Sequence, residues 1–278
     1  MFSYVRVLLL TSRPALWWVH VLLFMAGYLV SGAVVDARFW VFSGLLAFPG
    51  SLVVYGVNDV FDYASDKVNP RKNSLSGFVL EPRYHVFVLR AVVVSVLVLG
   101  VVVLSTRNWF TILSASALLF LVFAYSVPPL RLKQRGVVDS FSNALMVLCI
   151  GLLGFSFGGS FAQVPLAAYV ALLLVVSIHV LCAFMDYSAD KLAGQSTVAV
   201  VLGKRLAMIL GGVCAGVALA WFWFMSFPAP IVLVAGLLFM TCLVLAVYPS
   251  EALARRLQWP LVVICAGCTV LVLYVHVW

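Results

Sequence analysis

Nine stretches of about 20 mostly apolar residues follow one another along this chain, and they leave little choice of fold. An α-helix of that length spans the hydrocarbon core of a bilayer. Of the 278 residues, 65% are hydrophobic and 9% are charged, whereas a soluble domain carries roughly a quarter charged residues. We therefore predict an all-α, polytopic membrane protein with nine transmembrane helices. The predicted spans are 15–35, 39–57, 85–105, 109–127, 137–158, 164–185, 206–226, 229–248 and 258–277.

The basic residues are unevenly distributed over the predicted loops. If the N-terminus is cytoplasmic, only Arg38 and Arg107 of the 17 Lys and Arg residues fall on the opposite side. Such an excess in short loops marks the cytoplasmic side of membrane proteins. We predict a multi-pass cell-membrane protein with a cytoplasmic N-terminus, in contact with membrane lipids. The net charge of +8 then reflects orientation, and we expect no nucleic-acid partner.

The chain is predicted to form a single transmembrane domain over residues 1–278. Acidic clusters follow the second and the sixth spans, which are four spans apart. This spacing suggests a pseudo-repeat of four-helix units, at about 15–135 and 137–250, with a last helix at 258–277. The two halves share little visible sequence.

The acids are concentrated in two short segments. If the second helix continues through Asp66, then Asn58, Asp59, Asp62 and Asp66 share one arc of about 100°. Asp186 and Asp190 are also four residues apart and share a face. Both segments are expected at the cytoplasmic boundary, as halves of a divided site that opens to the cytoplasmic side.

Clustered carboxylates with an amide oxygen suit Mg²⁺, whose coordination shell is often completed by substrate phosphates. The candidate metal ligands are Asn58, Asp59, Asp62, Asp66, Asp186 and Asp190. Neighbouring bases would contact the phosphates directly. The sequence therefore predicts a Mg²⁺-diphosphate site. Two alternatives stay open: the acids could neutralise loop bases at the interface, or the protein could be a transporter or lipid-binding protein. Transporter sites, however, usually lie near the bilayer midplane.

Three segments resemble the UbiA superfamily of intramembrane prenyltransferases. NDVFDYASD at 58–66, with Asn69 and Arg71, is similar to the family's first signature. DYSAD at 186–190, followed by Gly194, is similar to the second signature, and YSVPPLRLK at 125–133 resembles the stretch after the fourth helix. The resemblance extends over nearly the whole chain.

The resemblance implies nine transmembrane helices around a central cavity, and Mg²⁺-dependent ionisation of an allylic prenyl diphosphate. The prenyl group would then pass to a lipid-soluble acceptor. By position, the catalytic residues would be Asp62, Asp66, Asp186, Asp190 and His179. The candidate diphosphate contacts are Lys67, Arg71, Lys72, Tyr125, Arg131, Lys133 and Lys191.

Within the superfamily, the stretch from Asn58 to Lys72, which ends in Asn-Pro-Arg-Lys, looks most like that of the lycopene elongases of C50 carotenoid synthesis. His179 stands where quinone-type enzymes tend to carry a further aspartate, and this also resembles the elongase branch. The implied substrates are dimethylallyl diphosphate and the terminal alkene of lycopene. The alternative is a UbiA-type enzyme with a quinone-ring, chlorophyllide-like or sugar-phosphate acceptor.

Overall fold

The computed structural model describes residues 4–69, 72 and 77–277, and these ranges consist of helices joined by short turns. The α-helices are α1 (Tyr4–Ser12), α2 (Trp17–Val30), α3 (Ala37–Leu45), α4 (Ser51–Phe61), α5 (Tyr63–Asp66), α6 (His85–Ser105), α7 (Trp109–Ser126), α8 (Val137–Phe155), α9 (Leu166–Met185), α10 (Tyr187–Leu192), α11 (Val198–Leu202), α12 (Lys204–Phe224), α13 (Ala229–Val247) and α14 (Glu251–Val277).

Eight helical segments of the described ranges are long and apolar enough to cross a membrane, which confirms an all-α, multi-pass membrane protein. They are Tyr4–Val30, Ala37–Phe61, Pro82–Ser105, Trp109–Ser126, Val137–Phe155, Leu166–Met185, Lys204–Phe224 and Ala229–Val247. The predicted count of nine is not confirmed, because the segment expected at 258–277 falls inside α14 and is not among the eight. The first segment begins at Tyr4, earlier than predicted, because α1 and α2 together form it.

The chain divides into two compact units. The first contains residues 1–131 and 149–164, and the second contains residues 132–148 and 165–278. The last turns of α8 thus belong to the first unit and its first turns to the second. The predicted pseudo-repeat at 15–135 and 137–250 stays a prediction.

Small residues allow α2 and the end of α8 to pack closely in the first unit. A Cβ added at Gly27 or at Gly154 would overlap the backbone of the other helix. Such close approach of small residues stabilises helix pairs in membranes, where apolar burial gives little driving force. Beside this crossing, Phe24, Tyr28 and Phe39 are buried against one another in an aromatic cluster.

The second span of the first unit is not a uniform helix. A π-turn at Leu46–Gly50 contains Pro49 and separates α3 from α4. Proline has no N–H to donate, so carbonyl groups of the preceding turn lose a partner. The Ser51 hydroxyl donates to the Leu46 carbonyl at 3.1 Å, and His20 Nδ1 lies 2.8 Å from that hydroxyl. The irregular turn is therefore held by side chains.

The second unit packs α9, α12 and α13 around a shared core. Val176, Val180 and Phe184 of α9 are fully buried together with Met208 of α12 and Leu245 of α13. A Cβ at Gly211 would lie 3.2 Å from Cys242 Sγ, so α12 and α13 are also close. These long helices carry the short helices α10 and α11, and α10 contains Asp190 of the second acidic segment.

Candidate active site

The second span is interrupted at Asp62. The sequence predicts one helix through Asp66, and this is wrong in detail: α4 ends at Phe61, and Asp62 has φ −106° and ψ 4°. The Ser65 N–H bonds the Asp62 carbonyl, three residues back, at 2.9 Å, so the Phe61 carbonyl has no helical donor. Arg131 Nη2 donates to it at 3.1 Å. On both sides of the break, helical hydrogen bonds still connect residues four apart. Asp62 N donates to Asn58 O and Asp66 N donates to Asp62 O, each at 2.9 Å.

Two cations converge on Asp59, which is fully buried. Arg13 Nη2 lies 2.6 Å and Lys72 Nζ 2.8 Å from Asp59 Oδ1. Lys72 Nζ also lies 2.8 Å from Asp66 Oδ2, so one ammonium bridges two carboxylates. The guanidinium of Arg13 lies over the Tyr55 ring, 4.3 Å from its centroid. Arg13 and Lys72 thus neutralise part of the negative charge of the first acidic segment.

The remaining first-segment ligands lie near polar neighbours. Asn58 Nδ2 is 3.5 Å from the Ser126 hydroxyl at the end of α7, and Arg131 Nη2 is 3.8 Å from Asp62 Oδ1. Burial raises the pKa of Asp66 to about 6, although Lys72 acts in the opposite direction. A buried carboxylate with a raised pKa gains from a further nearby cation.

The second acidic segment has a similar break. Helix α9 ends at Met185, Asp186 has φ −98° and ψ 1°, and α10 follows. Arg255 Nη1 donates to the Met185 carbonyl at 2.8 Å. Asp190 N bonds Asp186 O at 2.9 Å, which keeps the predicted four-residue spacing.

A left-handed glycine ends α10 and directs the chain to a neighbouring loop. Gly194 has φ +68°, and the bonds Gln195 N to Asp190 O and Gly194 N to Lys191 O form a Schellman motif. Gln195 then accepts from Gln134 Nε2 at 2.7 Å, and Gly136 N donates to Ser196 O at 3.0 Å. The loop that carries Lys133 is thereby fixed to the second acidic segment.

This docking places further charges near Asp190. Burial, together with the Asp186 and Asp139 carboxylates, raises the pKa of Asp190 to about 7. Thr197 and Lys133 lower it, but they are outweighed. Lys133 is almost fully buried, and its predicted contact with the diphosphate stays a prediction. The second segment therefore retains like-charge repulsion.

Asp139 lies beside the predicted site residue His179, and the sequence reasoning did not single it out. It is 1% exposed, and its Oδ2 accepts from Val198 N at 3.4 Å. Its Oδ1 lies 3.6 Å from His179 Nε2, and the Ser140 hydroxyl lies 3.0 Å from His179 Nδ1. An acid in a span is costly in lipid and by default marks a functional position. That isolated acid in an apolar helix was the available signal.

The remaining predicted diphosphate contacts differ in how exposed they are. Lys67 and Lys191 are exposed, and Lys191 Nζ lies 5.7 Å from the centroid of the Tyr187 ring. Tyr125 is half-buried one residue before Ser126. Arg71 lies outside the described residues.

The carboxylate and amide oxygens of these segments are donor types that fit a hard divalent cation. No group of three or more His, Cys, Asp or Glu side chains in the part of the chain that the structure describes is arranged to hold a metal ion. Asp59 Oδ2, however, is buried and accepts no hydrogen bond from the described residues. A buried carboxylate oxygen in that state is a suitable ligand atom for Mg²⁺.

Comparison of the chain with known protein families identifies its family. A model of the UbiA prenyltransferase family matches residues 19–261. The chain belongs to the UbiA prenyltransferase family. It is a membrane-bound prenyltransferase.

Relatives within the family are similar over most of their length. A lycopene elongase/hydratase of Corynebacterium glutamicum is 32% identical over 214 residues, which is 76% of this chain and 74% of the relative. A lycopene elongase/hydratase of Halobacterium salinarum is 32% identical over 230 residues, covering 78% and 76%. This chain is therefore similar to UbiA prenyltransferases named lycopene elongase/hydratase.

Solved structures support the fold. A UbiA homolog from Archaeoglobus fulgidus, bound to GPP and Mg²⁺, superposes with a TM-score of 0.67 at 21% identity and covers 95% of this chain and 97% of its own. An apo UbiA homolog from Aeropyrum pernix gives 0.66 at 15% identity, covering 93% and 96%. At these identities the likeness establishes the UbiA prenyltransferase fold.

Proposed function

We propose that this UbiA prenyltransferase transfers the dimethylallyl group of dimethylallyl diphosphate to the terminal alkene of lycopene, with Mg²⁺ as cofactor. The observation that carries the acceptor is the similarity, at 32% identity over about three quarters of both chains, to relatives named lycopene elongase/hydratase. The diphosphate and the metal are supported by the acidic segments, and by structural neighbours that bind GPP or DMAPP together with Mg²⁺.

We assign the metal and its diphosphate to the two acidic segments. The proposed metal ligands are Asn58, Asp59, Asp62, Asp66, Asp186 and Asp190. Asp59 would take part through Oδ2, because its Oδ1 holds Arg13 and Lys72. The proposed diphosphate contacts are Lys67, Arg71, Lys72, Tyr125, Arg131, Lys133 and Lys191. Lys133 and Arg131 have the strongest support, since both lie beside the acids.

The charges explain how the residues promote ionisation. The allylic C–O bond breaks and its electron pair leaves with pyrophosphate, so negative charge grows on the leaving group. Mg²⁺, when bound, neutralises part of that charge. Arg131, Lys133 and Lys72 are pre-positioned cations and would stabilise the rest without further reorganisation. The surrounding apolar helices exclude water, which would otherwise capture the allylic cation.

Carbon–carbon bond formation needs no activated acceptor. The π electrons of the terminal alkene attack the allylic carbon, and positive charge moves to a tertiary carbon of the acceptor. That cation loses a proton, to pyrophosphate or to His179, or it is captured by water. His179 suits the proton-accepting role because Asp139 lies beside Nε2 and would balance an imidazolium charge.

The proposal includes an orientation of the protein in the membrane. The basic-residue distribution favours a cytoplasmic N-terminus and an active site that opens on the cytoplasmic side. A water-soluble diphosphate would enter from that side, whereas lycopene would enter from the bilayer.

Expression in a lycopene-producing bacterium tests the acceptor. We expect C45 and C50 carotenoids by pigment chromatography, and no such product from Asp62→Asn. Asp36→Asn is the matched control. Asp36 accepts from Arg38 N and Phe39 N at the start of α3, and asparagine caps helices equally well, so wild-type pigment is expected. If the active protein makes neither C45 nor C50 product, the lycopene assignment is wrong.

A purified-protein assay separates the acceptor from the reaction class. Mg²⁺-dependent pyrophosphate release is measured with dimethylallyl, geranyl and geranylgeranyl diphosphates, with lycopene or a quinone precursor as acceptor. Release with a quinone precursor but not with lycopene would favour the alternative acceptor class. Absence of release with every pair would contradict the proposed substrates as a whole.

A further inference from the structure

An apolar pocket of about 260 Å³ lies within the first unit. Its wall is formed by side chains of α3, the π-turn, α4, α6 and α7, with Ile150 and Leu153 of α8. His20 and Ser116 are the polar side chains among its lining residues. A cavity of this composition has no group that would bind a charged ligand, so its occupant is a hydrocarbon.

The pocket begins close to the first acidic segment. Val54 lines it and is one helical turn before Asn58, so both residues lie on one face of α4, about 6 Å apart along its axis. A Cβ at Gly56 would lie 3.1 Å from the Val92 side chain and 3.2 Å from that of Val88, which places this part of α6 level with Gly56. The reacting carbon of a diphosphate held at Asn58 would therefore face the end of the pocket.

The pocket extends well beyond what a five-carbon group can occupy. Gly100 of α6 lines it two turns beyond Val92, about 12 Å further from the acidic segment. At its far part the lining reaches Leu104, which is 62% exposed, and the exposed Ser116 of α7. The pocket thus opens between α6 and α7, on a surface where Leu97 and Leu113 are also exposed. Such a surface faces lipid in a membrane helix.

The irregular second span contributes to this space. Leu46 and Gly50 of the π-turn line the pocket, and Ser51 and His20 hold the turn in place. Single π-turns inside helices often occur at functional sites. The departure from regular helix is therefore located at the wall of the cavity.

We propose that this pocket is the acceptor site: a linear polyene enters it from the bilayer between α6 and α7 and presents its terminal alkene beside Asn58. This inference rests on the proposed function. The volume is below the roughly 300 Å³ at which drug-sized ligand sites begin. The pocket therefore encloses one end of a forty-carbon chain, while the rest remains in lipid through the opening.

Gly100→Leu tests the proposal by filling the pocket. A Cβ at Gly100 meets no atom within 4 Å, so a leucine can project into the cavity without moving the backbone. Leucine also forms helices better than glycine. Gly44→Leu is the matched control: Gly44 lies in α3, is equally open, is exposed, and does not line the pocket. Ala115→Leu narrows the same pocket from α7 and provides a second, independent variant.

Two measurements are made on each full-length variant: Mg²⁺-dependent binding of dimethylallyl diphosphate by calorimetry, and conversion of lycopene to C45 and C50 products. We expect Gly100→Leu and Ala115→Leu to bind the diphosphate as the wild type does and to lose at least 10-fold in lycopene conversion. Gly44→Leu should match the wild type in both assays.

Other outcomes overturn the inference. Wild-type conversion by both pocket variants would show that the acceptor lies elsewhere. Loss of diphosphate binding in parallel with conversion would assign the pocket to the prenyl group instead. If the wild type binds dimethylallyl diphosphate but converts no lycopene, the proposed function itself fails, and the acceptor inference fails with it.

Discussion

Asp62 and Asp186 occupy the same local backbone setting in two different units of the chain. Each follows the last residue of a long helix, with φ near −100° and ψ near 0°. In each case an arginine 70 residues further along donates to the carbonyl just before the aspartate: Arg131 to Phe61 and Arg255 to Met185. The parallel is what the predicted pseudo-repeat would produce, and that pseudo-repeat stays a prediction. The two segments share the hydrogen-bonding arrangement and nearly the same local sequence, DYASDK at 62–67 and DYSADK at 186–191.

The charges around the two segments differ. In the first, Arg13 and Lys72 form ion pairs with Asp59, and Lys72 also pairs with Asp66. In the second, Asp190 has two acidic neighbours, and its pKa is raised to about 7. The first segment is thus stabilised largely by its own cations, whereas the second gains more from a cation that arrives with the substrate.

The largest effect is expected where the two segments are alike. Asp62→Asn and Asp186→Asn should each lower Mg²⁺-dependent pyrophosphate release by roughly 1,000-fold, because each removes a charge that we propose holds the metal-diphosphate in the transition state. Release is measured with saturating lycopene in detergent-solubilised protein. If only one of the two variants is impaired, the segments are not equivalent in the reaction.

Asp59→Asn should expose the difference between the segments. It removes the buried partner of Arg13 and Lys72, and leaving buried charges without their partner costs about 3 kcal/mol. We expect a clear fall in the thermal unfolding temperature, measured without metal. Lys67→Gln, a change at an exposed neighbouring cation, should leave that temperature unchanged. An Asp59→Asn protein of wild-type stability but low activity would make Asp59 chiefly a metal ligand.

The membrane-spanning helices and the positions of the two acidic segments could be predicted from the sequence. The side-chain contacts around those acids could not. Hydropathy predicts membrane spans because each span must be apolar and must satisfy its own backbone hydrogen bonds in lipid, whatever its neighbours are. The breaks at Asp62 and Asp186 were not predictable, since the arginines that donate to the carbonyls beside them, Arg131 and Arg255, come from 70 residues away. The partnership of Asp139 with His179 likewise depends on which faces of α8 and α9 meet.

Asp190→Asn should raise the free energy of unfolding, whereas Asp59→Asn should lower it. Because the pKa of Asp190 is about 7 in the folded protein, against 3.8 for an ordinary aspartate side chain, the folded state holds a proton between these pH values that the unfolded state has lost. The free energy of unfolding therefore falls as pH rises from about 4 to about 7, and then levels off. Asparagine avoids this loss.

In a chelator at pH 8, we expect Asp190→Asn to be about 2 kcal/mol more stable than the wild type, although inactive. Thermal unfolding at pH 5 and pH 8 measures the difference, which should shrink at the lower pH. Asp36→Asn is again the control, because hydrogen bonds from Arg38 lower the pKa of Asp36 and no gain is expected. Equal unfolding temperatures for Asp190→Asn and the wild type at pH 8 would mean that the second segment is as well balanced as the first.

The smallest effect concerns a feature with no counterpart among the described contacts of the first segment, the Asp139–His179 pair. Asp139→Asn keeps an oxygen for Val198 N but removes the charge beside His179 Nε2. Loss of such a supporting contact lowers activity by about 10-fold in comparable sites, and we expect that loss here. A structural role alone would give the same fall, so the double variant with His179→Gln decides. If Asp139 acts through His179, the double variant is no slower than His179→Gln; additive losses would show that the two side chains act independently.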